Sequence, residues 1–82
     1  MIASCSLFLS HGQDAKAEKL IEKGVELHDE GKYKEAIEAY KEALKLSPKS
    51  AQATYELSLS YLALKDYQNA MKHSSEILDS GN

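Results

Sequence analysis

Apolar residues recur at intervals of three and four positions along most of the chain, and short polar breaks separate the runs. This spacing places the apolar side chains on one face of an α-helix. The pattern predicts four helices of about 13 to 16 residues, joined by short connections that make neighbouring helices antiparallel. The predicted helices run from Lys16 to about Glu30, from Tyr33 to Leu46, from Ala51 to about Leu64, and from Tyr67 onward.

Local signals mark the predicted helix ends. Gly31 can adopt the left-handed conformation that ends a helix. Pro48 stops the second helix because the residue before a proline avoids helical backbone angles, and Ser50 is a suitable N-cap for the third. Lys65 and Asp66 stand where a second glycine turn is expected.

The second half of the chain repeats the first with an offset of 34 residues (70 − 36 = 34, for two matching alanines). This internal repeat predicts two copies of a helix-turn-helix unit, stacked one on the other. Matching positions include Ala17 with Ala51, Gly24 with Ser58, Leu27 with Tyr61, Tyr33 with Tyr67, Ala36 with Ala70, and Ile37 with Met71.

Small and bulky side chains alternate in a way that suits close helix packing. Small residues allow the helix backbones to approach, and tyrosines fill the remaining gaps. The small residues are Gly24, Ala36, Ala43 and Ser58, and the tyrosines are Tyr33, Tyr40, Tyr61 and Tyr67.

The 34-residue period and the residues at its defining positions resemble two tandem tetratricopeptide repeats over about residues 15–82. The first copy carries the motif at Gly24, Leu27, Tyr33, Ala36, Tyr40, Ala43 and Pro48, and the second departs from it at Ser74 and Ile77. The resemblance implies an all-α solenoid of four antiparallel helices in residues 14–82, with repeat one at about 17–50 and repeat two at about 51–82. A generic four-helix bundle, which lacks the strict period, is the alternative fold.

Residues 1–13 differ in composition from the rest of the chain. An apolar run from Ile2 to Leu9 precedes Ser10 and Gly12, as in the hydrophobic part and cleavage site of a secretory signal, although a basic start is missing. The segment is therefore interpreted either as a signal peptide or as an N-terminal extension. If residues 1–12 are a signal peptide, the protein is exported to the periplasm or the extracellular space; otherwise a cytoplasmic location is expected.

Composition excludes several classes of function. The net charge is −3, and all ten basic side chains are lysines, which argues against nucleic-acid binding. The apolar run is too short for a membrane span. Cys5 and the three scattered histidines offer neither a catalytic pair nor a metal site, and His28 is expected at the surface. We expect no enzymatic activity, no cofactor and no metal.

The resemblance implies that the first helix of each repeat lines a concave groove that binds a protein or peptide. The predicted groove is apolar in its middle and acidic at its edge, which favours a hydrophobic or basic segment, such as a partner helix. Domains of this family that hold the acidic C-terminal tails of chaperones bind the carboxylates with lysine and asparagine side chains. In this chain those positions carry Ile21, Val25 and Glu56, so binding of such a tail is not expected. The groove residues are Glu18, Ile21, Glu22, Val25, His28, Gln52, Tyr55, Glu56, Leu59 and Leu62.

The apolar stripe also permits a structural role. The same side chains can pack against a neighbouring element or a second copy of the chain, which gives a self-associating assembly segment without a ligand groove. Because stable arrays normally contain three or more repeats, we expect either a homodimer or a fragment of a longer tetratricopeptide protein, and the fragment is favoured.

Overall fold

The computed structural model describes the backbone of residues 2–73 and the side chains of residues 14–73. Helix α1 spans Ile2–Asp29, α2 spans Tyr33–Leu46 and α3 spans Ala51–Ala63. A fourth helix, α4, begins at residue 67 and is described to residue 73. No strand occurs within these residues. The predicted all-α fold of two helix-turn-helix units is confirmed.

Helix α1 is longer than the sequence pattern predicted. It contains 28 residues and begins at Ile2, so the expected start at Lys16 is wrong. The early segment has no proline, and the single Gly12 costs only about 1 kcal/mol relative to alanine, so nothing in it breaks the helix. The domain boundary proposed after residue 13 lies inside α1, and cleavage of a leader stays a prediction. The motif departures at Ser74 and Ile77 lie outside the described residues.

The connection between α1 and α2 is a Schellman turn. Gly31 has a φ of 81°, in the left-handed region that glycine adopts without strain. Its N–H donates to the carbonyl of His28 at 2.9 Å, and the N–H of Lys32 donates to the carbonyl of Leu27 at 2.8 Å. These bonds satisfy carbonyls that the end of a helix leaves without partners.

The connection between α3 and α4 repeats this turn without glycine. Lys65 has a φ of 63° and donates its N–H to Leu62, while the N–H of Asp66 donates to Tyr61, both at 2.9 Å. Each donor and acceptor lies 34 residues after its counterpart in the first turn. The repeat therefore extends to individual hydrogen bonds, and the same turn follows α1 and α3.

The connection between the two units follows the predicted signals. Helix α2 ends at Leu46, and the N–H of Ser47 still donates to the carbonyl of Ala43 at 2.8 Å. Ser50 is the N-cap of α3, and its side-chain oxygen accepts from the N–H of Ala53 at 3.1 Å. An N-cap of this kind satisfies one of the free N–H groups at the start of a helix.

Helix α2 packs against both α1 and α3, which touch each other at only a few points. Because α2 is antiparallel to each of them, α1 and α3 run parallel. The buried cluster between these helices and α4 contains Ala17, Ile21, Ala36, Ile37, Tyr40, Ala43, Ala53, Leu57, Tyr61 and Ala70.

Helices α1 and α2 pack closely where Tyr40 of α2 lies over Gly24 of α1. The Tyr40 side chain is 1% exposed, and a Cβ added at Gly24 would overlap its ring. The expected packing of small residues against tyrosines is confirmed at this contact. At Tyr67 the expectation is wrong, because that side chain is 57% exposed and fills no gap.

Helix α4 packs on α3 through a small residue and a ring contact. Ala70 is buried, as is its counterpart Ala36 in the first unit. The ring of His73 stacks in parallel on that of Tyr61 with 5.6 Å between the centroids. The second unit therefore keeps the small-residue contact of the first.

Replacing Gly24 with Ala tests the helix contact at Tyr40. We expect the free energy of unfolding to fall by about 1–3 kcal/mol because the added methyl group overpacks a buried ring. Urea unfolding followed by circular dichroism measures the change, and Lys23→Ala, at the exposed neighbouring position, is the control. A more stable Gly24→Ala protein, as helix propensity alone predicts, would contradict the contact.

Matched substitutions in the two turns should change stability in opposite directions. Gly31→Ala is expected to cost about 1 kcal/mol, since a side chain is strained in the left-handed region. No atom lies within 4 Å of the added Cβ, so the cost is purely conformational. Lys65→Gly is expected to gain up to about 1 kcal/mol by relieving the same strain. Urea unfolding checks both, and changes of equal sign would show that the turns are not equivalent.

Candidate partner-binding surface

Helices α1 and α3 lie side by side and place the first predicted groove residues together. Glu18 and Ile21 of α1 share a surface depression of about 300 Å³ with Gln52 of α3. Glu18 and Gln52 occupy equivalent positions in the two repeats. The structure therefore brings the two copies of this position to one place.

Ile21 does not present an exposed side chain. It is only 4% exposed and belongs to the buried cluster, so its predicted availability to a partner is wrong. Apolar periodicity identifies the side of a helix but not the depth of each residue. Ile21 lines the depression. Because it is buried, contacts with another molecule would come mainly from the exposed residues around it.

The remaining predicted residues fall into two groups by exposure. Tyr55 and Leu62 of α3 are large apolar residues that are 56% and 46% exposed. Polar residues Glu18, Glu22 and Gln52 are also exposed, whereas Val25, His28, Glu56 and Leu59 are half-buried. We call these nine residues together the groove surface.

Polar and ring contacts beneath the groove surface join three helices. The Nδ1 atom of His28 lies 2.9 Å from the Oγ atom of Ser60, which is fully buried in α3. The Ser60 side chain also lies close enough to the Tyr40 hydroxyl to influence its pKa. The edge of the His28 ring meets Tyr33 with 4.9 Å between the ring centroids. The prediction that His28 lies at the surface is wrong in part, because its ring is half-buried, packs against Tyr33 and forms a hydrogen bond with Ser60.

Sequence reasoning missed Ser60 as the centre of these contacts. Its counterpart in the first repeat is Glu26, an exposed residue, so the repeat gave no signal for a buried polar group. A serine in a helix can bond to its own backbone as well as to another side chain. Only the packing of α1, α2 and α3 shows which of these it does.

Burial raises the pKa of the Tyr40 hydroxyl to about 12, because the phenolate would lose its hydration. The nearby carboxylates of Glu56 and Asp29 raise the pKa further by repelling a negative charge, and the Ser60 side chain acts in the opposite direction. Tyr40 is therefore neutral at physiological pH. One acidic group from α1 and one from α3 therefore lie near the Tyr40 hydroxyl.

The described side chains contain no group of three His, Cys, Asp or Glu residues able to hold a metal ion. Over the same part of the chain, no helix combines the length and the apolar character needed to cross a bilayer. What the groove surface offers is exposed apolar area beside carboxylates, which suits recognition of another molecule by contact and charge.

Comparison with known proteins agrees with the repeat architecture. A family model described as TPR repeat matches residues 24–65. Mitochondrial import receptor subunit TOM34 of Homo sapiens and its Pongo abelii relative are each 41% identical over 69 residues, which is 84% of this chain and 22% of theirs. Intraflagellar transport protein 70A of Homo sapiens is 30% identical over 70 residues, or 85% of this chain and 10% of its own length. The chain thus spans less than a quarter of each of these relatives.

The raised pKa of Tyr40 predicts a specific pH dependence of stability. In the unfolded chain the hydroxyl ionises near 10.0, and in the folded protein it stays protonated to about 12. Between these values the unfolded state loses the proton first, so the free energy of unfolding falls as the pH rises. We expect a loss of about 1–2 kcal/mol, allowing for screening by nearby solvent.

Urea unfolding at a series of pH values, with Tyr40→Phe and Tyr55→Phe proteins beside the original, measures this effect. The Tyr40→Phe protein should lose less stability above pH 10 than the original. Tyr55 is 56% exposed, and the Tyr55→Phe control should keep the original slope. Identical slopes for all three proteins would show that Tyr40 does not titrate in this way.

Proposed function

The chain belongs to the tetratricopeptide repeat family, and we propose that it is a non-catalytic protein-interaction module. In this proposal the groove surface of α1 and α3 binds a peptide or a partner helix. The observation that carries it is the exposure of Tyr55 and Leu62, which are 56% and 46% exposed on a helix whose other face is buried. Exposed aromatic and aliphatic side chains with a polar rim are typical of protein interaction sites.

The charge around these apolar residues supports a preference for basic segments. Glu18, Glu22 and Asp29 are exposed, and Glu56 is half-buried, so carboxylates surround the groove surface. Among the described residues, Lys49 is the one basic side chain that lines the depression. An amphipathic helix with lysine or arginine beside its apolar stripe would match this pattern, since complementary charge guides association and disfavours acidic partners.

The same charges argue against recognition of an acidic tail. Gripping a carboxylate requires donors such as lysine or asparagine. The corresponding positions hold Ile21, which is buried, Val25, which is half-buried, and the acidic Glu56. We therefore propose an apolar or basic segment as the ligand.

The names of the relatives support partner binding in general terms. TOM34 is named as a subunit of an import receptor, and 70A as an intraflagellar transport protein. Because this chain spans 22% of the first and 10% of the second, we propose only the class of interaction for it. Export stays a prediction tied to residues 1–12, with a cytoplasmic location as its alternative.

Binding of two model peptides to the full chain tests the groove surface. One is an amphipathic helix of leucine and lysine, and the other replaces each lysine with glutamate. We expect the leucine–lysine peptide to bind at least about tenfold more tightly at low salt and to weaken as salt is added. Glu22→Lys should weaken its binding severalfold, as measured by fluorescence anisotropy of the labelled peptide.

The control is Glu38→Lys, which makes the same charge change at an exposed position of α2 outside the groove surface. An equal loss in both variants would mean that net charge, and not the groove surface, attracts the peptide. A stable dimer in light scattering that Leu59→Glu dissociates, together with no peptide binding, would favour the self-assembly role instead.

A further inference from the structure

The depression of about 300 Å³ between α1 and α3 is formed by residues that are far apart in the sequence. Helix α1 contributes Asp14 and Glu18, and the start of α3 contributes Ser50 and Gln52. We call it the α1–α3 depression. Because two helices build it, it exists only in the folded chain.

The base of the α1–α3 depression is apolar and its rim is polar. Ala17 and Ile21 line it and belong to the buried cluster, with exposures of 3% and 4%. Asp14, Glu18 and Gln52 line it as well, and all three are exposed. A side chain with an aliphatic stem and a charged head matches such a surface, since the stem covers apolar atoms while the head stays among polar groups.

The charge of the α1–α3 depression calls for a cation. Asp14 and Glu18 lie one turn apart on α1, and Lys49 is the basic residue beside them. Among the described side chains, the one ion pair joins Lys32 and Glu30, so Lys49 neutralises neither carboxylate by direct contact. Two carboxylates and one ammonium group leave a net charge of −1. A single positive charge complements it.

A metal ion suits this depression less well than a basic side chain. Calcium takes about six to eight oxygen ligands, whereas the described side chains contain no group of three His, Cys, Asp or Glu residues able to hold a metal. Two carboxylates next to an apolar base are instead the surroundings that a long cationic side chain uses.

Arginine matches the polar rim better than lysine does. Its guanidinium is planar, donates from several N–H groups arranged as a fork, and is more weakly hydrated than the lysine ammonium. The acceptors of the depression are spread over two helices, with the carboxylates of Asp14 and Glu18 on α1 and the side-chain oxygen of Gln52 on α3. A fork can reach several separate acceptors, whereas an ammonium acts as a point charge.

We propose that the α1–α3 depression binds an arginine side chain of the basic segment that docks on the groove surface. The guanidinium lies between the carboxylates of Asp14 and Glu18, and its methylene stem covers Ile21. This site rests on the proposed function, because the groove surface must hold the rest of the segment. It adds a requirement for arginine at one position of the ligand. Asp14 and Lys49 lie outside the groove surface, so the site and the groove can be tested separately.

An arginine scan of the leucine–lysine peptide supplies the probe. Each lysine is replaced in turn with arginine, and the best position is then replaced with citrulline, which keeps the shape of arginine without its charge. Labelled peptides are titrated against the full chain at low salt and followed by fluorescence anisotropy. We expect one position at which arginine binds at least about threefold more tightly than lysine and at least about tenfold more tightly than citrulline.

Three substitutions in the protein connect this preference to the depression. Asp14→Asn and Glu18→Gln should each weaken binding of the arginine peptide severalfold, because each removes an acceptor of its charge. Lys49→Ala should strengthen it, because a competing positive charge is lost. All three residues are exposed, so the midpoint of urea unfolding should stay unchanged.

The matched control is Glu38→Gln, which makes the same charge change at an exposed position of α2 outside the depression. It measures the loss that net charge alone causes. The citrulline peptide should lose no more affinity from Asp14→Asn than from Glu38→Gln, since it has no charge to place between the carboxylates.

Failure of this site differs from failure of the proposed function. If the leucine–lysine peptide binds and Glu22→Lys weakens it, but arginine gives no gain at any position, the groove surface stands and the arginine site is wrong. Equal losses of the arginine and citrulline peptides in Asp14→Asn would reject the site as well. If no peptide binds, both proposals fail.

Discussion

The packing of Tyr40 against Gly24 is the contact on which the rest of the structure depends. Tyr40 projects from α2 and covers the glycine of α1 with its ring, and its hydroxyl lies near the Ser60 side chain of α3. The ring thereby sets the separation of α1 and α2. The hydrogen bond between Ser60 and His28 then ties α3 back to α1. Because the groove surface is built on α1 and α3, its shape depends on this buried tyrosine.

Much of the fold could be predicted because the signals that end its helices are local. Gly31, Pro48 and Ser50 each impose a backbone preference that needs no distant partner. The left-handed Lys65 could be located only through the repeat, since lysine itself gives no signal for that conformation. The start of α1 could not be predicted, because residues 2–13 change in composition without containing a residue that breaks a helix.

The depth of each candidate site residue could not be predicted from the sequence. On α1, the residues predicted to line the groove lie next to residues of the core. A difference of one position along the helix therefore decides whether a side chain is exposed or buried. Ile21 falls on the buried side, whereas Tyr55, its repeat counterpart, is exposed. The bond between His28 and Ser60 joins positions 32 residues apart on different helices. Such a pair arises from the packing of whole helices and leaves no periodic trace in the sequence.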